Sequence, residues 1–292
     1  EIQRLKNPGL FLKEFYDLNL NIKIIYSGSS QIEIKSKLKE HLVGRVRELE
    51  IQRLSFAEYC DFRKPISKKQ ALEEYMIFGS YPAVALAGNS EERELSLRDI
   101  YQSYIQKDII EFLHIENVNA FNKLIILLSS QIGTLLNINN LSNALKVSRK
   151  EIEKYILILE NTFIIKSISP FFKNYKKEIT RIPKVYFLDL GLRNFALKNF
   201  FPLDLRGDKG ELFENFYLLE LINSDPYGLN TINYWRTTNQ TEVDFILSKG
   251  KNNVMAYETK WEKTSTPKSF YTLKKYYPKI KTSIISKNDF IK

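Results

Sequence analysis

Asp244 stands in Glu242-Val243-Asp244-Phe245-Ile246, a carboxylate set in an apolar run, and Glu258-Thr259-Lys260 follows fourteen residues later. Both stretches have the composition of strands. A period of two places Glu258 and Lys260 on one face and Thr259 on the other. Glu214, in a helical stretch upstream, adds a third carboxylate. Carboxylate oxygens are hard donors suited to Mg²⁺ or Mn²⁺, and two of them leave coordination positions for water and a phosphate. An ion held there lowers the pKa of bound water and stabilises charge developing at phosphorus, and a neighbouring lysine orients that water or neutralises the charge. The expected catalytic set is Glu214, Asp244, Glu258 and Lys260, with Asp244 and Glu258 as metal ligands and Arg236 and Gln240 as phosphate contacts. For Glu258 and Lys260 the alternative is an ion pair across one strand face. For Asp244 the alternative is a costly one, an unpaired carboxylate half-buried among apolar residues.

The elements that must position these groups are legible in the periodicity. From about Gly207 the chain reads as a helix (211–222), a hairpin (232–235 and 242–247), a strand (254–260), a helix (268–276) and a strand (282–286). Before it, a helix at 121–131, short helices at 141–145 and 148–161, and strand candidates at 163–168 and 184–188 follow the order of a winged helix-turn-helix. In that arrangement Ser148, Arg149 and Lys150, with Lys154 one turn on, would enter a major groove and contact the DNA backbone. Many such units bind proteins instead, and Glu151 and Glu153 lie on the same helix.

Residues 67–113 read as helical, broken at Gly79-Ser80-Tyr81-Pro82 and Gly88-Asn89-Ser90. At the N-terminal end, 9–18 is a short helix. Ile22–Tyr26 is a buried parallel strand ending in the turn Ser27-Gly28-Ser29-Ser30, and 45–51 is a further strand. Ser55 and Glu58 form a capping box that opens the next helix.

Three stretches resemble one family, the AAA-type ATPases with a DUF4143 region. Glu1-Ile2-Gln3-Arg4-Leu5 looks like the tail of a Walker B motif. His41-Leu42-Val43-Gly44-Arg45-Val46 with Leu54-Ser55-Phe56-Ala57-Glu58-Tyr59 is similar to the family's LxGR and LSFxE signature. Val185–Arg193 followed by Gly210–Asn215 is similar to the core of the DUF4143 region, and the carboxylate pattern resembles the PD-(D/E)xK nucleases. The resemblance implies an α/β multi-domain chain. Its parts are a partial P-loop ATPase core (1–62), a helical lid or linker (63–113), a winged-helix segment (114–206) and a PD-(D/E)xK-like α/β domain (207–292). It also implies that Glu1 polarises the attacking water, that Ser29 contacts phosphate and that Arg45 reaches a γ-phosphate. A Gly-x-x-x-x-Gly-Lys-Ser/Thr loop occurs nowhere in the chain, so ATP binding is expected only in the full-length protein.

Composition bounds the partners. The formal net charge is +10, with ten Lys/Arg against five Asp/Glu over 141–190 and eight against two over 261–292. Such a balance favours a polyanion, nucleic acid and first of all DNA, although general lysine richness accounts for it as well. One cysteine, Cys60, and two distant histidines, His41 and His114, exclude an internal disulfide and disfavour zinc. No signal peptide or membrane span is expected, which suggests a cytoplasmic protein. A homo-oligomer and a protein partner complete the expectations. The opposing reading is an ATP-controlled DNA- or partner-binding protein whose nuclease fold is inactive.

Overall fold

The computed structural model describes residues 2, 5–27, 46–47, 49–111, 113, 115–172, 182–250, 253–262 and 265–292. Helix α1 (Pro8–Asp17) starts the chain, with proline in its first turn, where a missing N–H costs nothing. The expected strand at Ile22–Tyr26 does not form, and Ile25 is 85% exposed. A parallel strand is stable only between partner strands, and among the described residues no sheet includes this run. The described residues of 46–51 likewise join no ladder.

Helix α2 (Phe56–Arg63) opens with the anticipated capping box: Glu58 N–H donates to Ser55 Oγ and Ser55 N–H to the Glu58 carboxylate. Helices α3 (Lys68–Phe78), α4 (Pro82–Leu86) and α5 (Ser90–Ile100) follow, and a π-helical turn series (Tyr101–Glu111) continues the last of them. The break after α3 is set by Gly79, at φ +77°. A Cβ there would lie 2.3 Å from Asp189 Oδ1, and one on Gly191 would lie 2.0 Å from the Phe78 carbonyl oxygen. Two backbones therefore touch at this point, which only glycine allows.

Helices α6 (Val118–Ser130), α7 (Ile138–Leu145) and α8 (Arg149–Asn161) lead into the antiparallel hairpin β1 (Ile165–Ile168) and β2 (Lys184–Phe187). Leu135, between α6 and α7, bridges to Lys184 and adds a short third edge to that hairpin. Helix α9 (Leu190–Leu197), capped by Asp189, carries the chain to α10 (Lys209–Asn223).

The C-terminal unit is a four-stranded sheet in the order β3 (Thr231–Arg236), β4 (Glu242–Lys249), β5 (Asn253–Lys260), β6 (Lys281–Ser286). The first three strands run antiparallel. β6 is parallel to β5 and is reached through α11 (Lys268–Tyr276), and a short helix α12 (Asn288–Ile291) ends the chain. Helix α10 covers one sheet face, with Tyr217, Leu218 and Leu221 against Phe245 and Leu247. Helix α11 covers the other, with Phe270 and Leu273 against Trp235, Val243 and Ile246.

A core of aromatic edges joins the helices to this unit. Phe216 of α10 lies 5.7 Å from Phe56, 5.3 Å from Tyr75 and 4.8 Å from Phe290, all edge-on. Such pairs add about 0.5–1.5 kcal/mol each beyond their buried area. The core runs without a break from α2 through α6 and α8 to α10, so the helical region and the start of the C-terminal unit share one interior.

Candidate active site

The sheet forks where the chemistry was expected. β4 and β5 pair from Lys249↔Asn253 to Phe245↔Tyr257 and then part, β4 staying with β3 and β5 with β6. Continuing the register one step puts Asp244 level with Glu258, at the crotch of the fork. A bulge lies at the same place. Asn233 pairs Ile246 and Trp235 pairs Val243, so three steps on β4 oppose two on β3. Consequently Val243 packs with α11 and Phe245 with α10, although residues two apart on a regular strand share a face. Bulges re-aim side chains in this way.

Asp244 and Glu258 are buried, at 9% and 7% exposure. Asp244 Oδ2 accepts from Thr259 N–H and from Thr259 Oγ, each at 2.7 Å, taking up the β5 donor that the fork leaves without a ladder partner. Glu258 Oε2 accepts from Ser269 Oγ at 3.3 Å, and Glu258 Oε1 lies 3.0 Å from Lys260 Nζ, whose side chain is 42% exposed. Burial raises the Glu258 carboxyl, the Asp244 charge raises it further, and Lys260 pulls the other way. Burial opposes the Lys260 charge, but Glu258, Asp244 and Glu214 together lift its pKa.

Glu214 projects from α10 into the same electrostatic neighbourhood. Tyr186 Oη donates to Glu214 Oε1 at 2.5 Å, and Lys184 Nζ lies 3.3 Å from the same oxygen. Burial, and after it the Asp244 charge, pushes the Glu214 carboxyl up to about 7 against the pull of Lys184 and Tyr186. Room for the carboxylate comes from Gly133, at φ +72°, where a Cβ would lie 3.3 Å from Glu214 Oε1. The structure thus brings together all four residues of the expected catalytic set.

Two contributors were absent from the sequence reading, Lys184 and Tyr186 on β2. Lys184 pairs with both Glu214 and Glu242, and its side chain is 3% exposed. Burial opposes its charge, but the two carboxylates outweigh that and raise its pKa. The one signal for it in the sequence is a lysine leading an otherwise apolar strand, Lys184-Val185-Tyr186-Phe187-Leu188.

The other expected residues lie at the edge of the fork or apart from it in sequence. Arg236 pairs with Glu242 at 3.2 Å at the edge of the fork, and Gln240 sits in the β3–β4 turn at φ +63°. Arg149, Lys150 and Lys154 are exposed on α8, well apart in sequence from the sheet, and Arg149 reaches Glu153 at 3.9 Å. Trp261 packs edge-on against Phe213, and Lys209 and Lys287 also lie over its ring. Glu1, Ser29, Arg45, His41 and His114 lie outside the described residues.

Asp244 and Glu258 are two buried carboxylates whose charges repel, and Lys260 pairs with Glu258. Among the described residues no three His, Cys, Asp or Glu side chains form a metal cage. Mg²⁺ characteristically takes one or two carboxylates and completes its shell with water and phosphate oxygens.

Family models match three stretches: an AAA domain over residues 1–60, a domain of unknown function (DUF8612) over 69–203 and a domain of unknown function (DUF4143) over 209–289. The AAA-domain and DUF4143 matches fall on stretches of the family resemblance read from the sequence, Glu1–Leu5 and His41–Tyr59 in the first and Gly210–Asn215 in the second. The DUF4143 match coincides with the forked sheet and its two covering helices. Among curated proteins the chain is similar to an uncharacterized protein of Haemophilus influenzae, 26% identical over 80% of this chain and 58% of the relative. Uncharacterized proteins of Mycobacterium bovis and Mycobacterium tuberculosis are each 23% identical over 84% of this chain and 53% of the relative. The chain therefore spans little more than half the length of these relatives. No solved structure matches it. Among the described residues no helix is long and apolar enough to cross a membrane.

Proposed function

We propose that the chain is part of a cytoplasmic, nucleic-acid-associated ATPase whose C-terminal unit hydrolyses phosphodiesters. The observation that supports this is the meeting of Glu214, Asp244, Glu258 and Lys260 at the fork of a sheet built in the order α–β–β–β–α–β. That order and the carboxylate–carboxylate–lysine set are those of the PD-(D/E)xK resemblance. Asp244 and Glu258 would hold Mg²⁺ or Mn²⁺, which supplies Lewis acidity toward phosphate and an acidified water. Lys260, the exposed member of the set, is placed to bind a phosphate oxygen or orient the attacking water. Glu214, with a pKa of about 7, can exchange a proton near neutral pH. In the reaction the water oxygen bonds to phosphorus, one ester P–O bond breaks, and a water proton ends on the departing sugar oxygen.

ATP handling belongs to the whole protein and rests on the AAA-domain match over residues 1–60. The helix–bridge–helix–helix–strand–strand order of residues 118–187 supports the winged-helix reading, with Arg149, Lys150 and Lys154 as its exposed phosphate contacts. A second reading, a binding module without catalysis, draws on the hydrogen bonds that already occupy Asp244 and Glu214. Labelled single- and double-stranded DNA incubated with Mg²⁺ or Mn²⁺ separates the two. Cleavage by the native chain, lost in both Asp244→Asn and Lys260→Met, supports hydrolysis. Equal DNA binding by all three without cleavage supports the binding module.

A further inference from the structure

A second cation, Lys184, comes from the hairpin, outside the sheet that carries Asp244 and Glu258; it pairs with Glu214 and Glu242 and also feels the charge of Asp244. Lys184 heads β2, whose four residues are all buried, and its ammonium lies 3.3 Å from Glu214 Oε1, contacts Glu242 Oε1 and sits 5.7 Å from the centroid of the Tyr234 ring. A lysine this deeply buried is tolerated only where anions compensate it. The connection between β1 and β2 is tied to Tyr234 of β3 at three points. Tyr234 N–H donates to the Ser169 carbonyl at 3.2 Å, Phe171 N–H to the Tyr234 carbonyl at 2.6 Å, and Tyr234 Oη to the Ile182 carbonyl at 2.6 Å. Tyr186, two residues along β2 from Lys184, fixes the Glu214 carboxylate that Lys184 faces.

We propose that Lys184 is the resident counter-cation of the site and sets how strongly Asp244 and Glu258 take a divalent ion. With the ammonium in place, part of the acidic charge is neutralised already, and an incoming dication meets a like charge. Because Lys184 rides on the hairpin, docking of the hairpin against β3 then governs the ion affinity of a site in the neighbouring sheet. Lys184 acts through the carboxylates and is a positioning residue. The inference rests on the metal-site reading, but its test does not require cleavage.

The test is Mn²⁺ titration of the full chain, read by the electron paramagnetic resonance signal of free Mn²⁺, with thermal melting alongside. The variants are Lys184→Met and Lys184→Gln, each also combined with Asp244→Asn. The proposal expects about tenfold tighter Mn²⁺ binding in the Lys184 variants, a gain abolished by Asp244→Asn, and a larger rise in melting temperature on adding Mn²⁺ than in the native chain. Unchanged or weaker binding overturns it, as does a gain that survives Asp244→Asn. Failure of both variants to fold even with millimolar Mn²⁺ also overturns it, because the ion should replace the missing charge. A native chain that cleaves no DNA while the variants tighten Mn²⁺ defeats the nuclease reading and leaves this one standing. Asp244-dependent cleavage with unaltered Mn²⁺ affinity does the reverse.

Discussion

Asp244 has two separable duties, and replacing it with asparagine or alanine distinguishes them. Its Oδ2 accepts two hydrogen bonds from Thr259, and its negative charge raises the carboxyls of Glu258 and Glu214. Alanine removes both. It leaves the Thr259 N–H and hydroxyl without an acceptor in a residue that is 6% exposed. At about 1–3 kcal/mol for each buried orphan, less what an entering water and the relief of repulsion return, the net loss should be about 2–3 kcal/mol. Asparagine offers an amide oxygen in the same place and discards only the charge, so Asp244→Asn should stay within about 1 kcal/mol of the native chain or exceed it. Charge removal should also appear at Glu214, whose carboxyl sits at about 7 against an ordinary 4.5. Folded Glu214 keeps its proton to higher pH than the unfolded chain does. Its ionisation therefore opposes folding as pH rises from about 4.5 to 7, by up to about 3 kcal/mol. In Asp244→Asn the Glu214 midpoint should move down and that loss of stability should shrink. Urea unfolding across this pH range, with a ¹³C-carboxyl NMR titration of Glu214, measures both effects. Asparagine as damaging as alanine, or an unmoved Glu214 midpoint, would refute the argument.

Three other outcomes follow from the structure. Asp208 lies between Arg193 and Arg206, which outweigh the raising effect of burial and hold its carboxyl at about 2. Its contribution is present above the ordinary value of 3.8 and is lost as pH falls toward 2, so Asp208→Asn should cost about 2 kcal/mol at pH 7 and nearly nothing at pH 2. Gly191→Ala forces a Cβ against the Phe78 carbonyl and should destabilise by at least about 1–3 kcal/mol in thermal melts, whereas Gly210→Ala, with open space, should not. Replacing Arg149, Lys150 and Lys154 by alanine should leave the melting temperature unchanged and flatten the plot of log affinity for duplex DNA against log salt by about 2–3 units, one per lost phosphate contact.

Most elements of the fold were legible because their signals are local. The Ser55–Glu58 capping box, the helix from 268 to 276 and the alternation around Glu258 each depend on neighbours in sequence. The strand expected at Ile22–Tyr26 did not form, since apolar runs become strands only when partners adjoin them. The carboxylates and Lys260 were singled out by their spacing. Their setting was not, because it comes from long-range geometry. The bulge that re-aims Asp244 is a mismatch between two strands, and neither strand alone encodes it. Lys184 and Tyr186 reach Glu214 from about 30 residues away in sequence, on a hairpin whose docking involves Ser169, Phe171 and Tyr234. Arg236 pairs with Glu242, a partner fixed by the β3–β4 register and not legible in either strand alone.

The count and location of bound Mn²⁺ on the full chain test the proposed metal site most directly. Mn²⁺ should bind at the fork, be lost in Asp244→Asn and in Glu258→Gln, and be retained when Arg149, Lys150 and Lys154 are replaced. Binding that survives both carboxylate substitutions, or no binding in the native chain at millimolar Mn²⁺, would contradict that site.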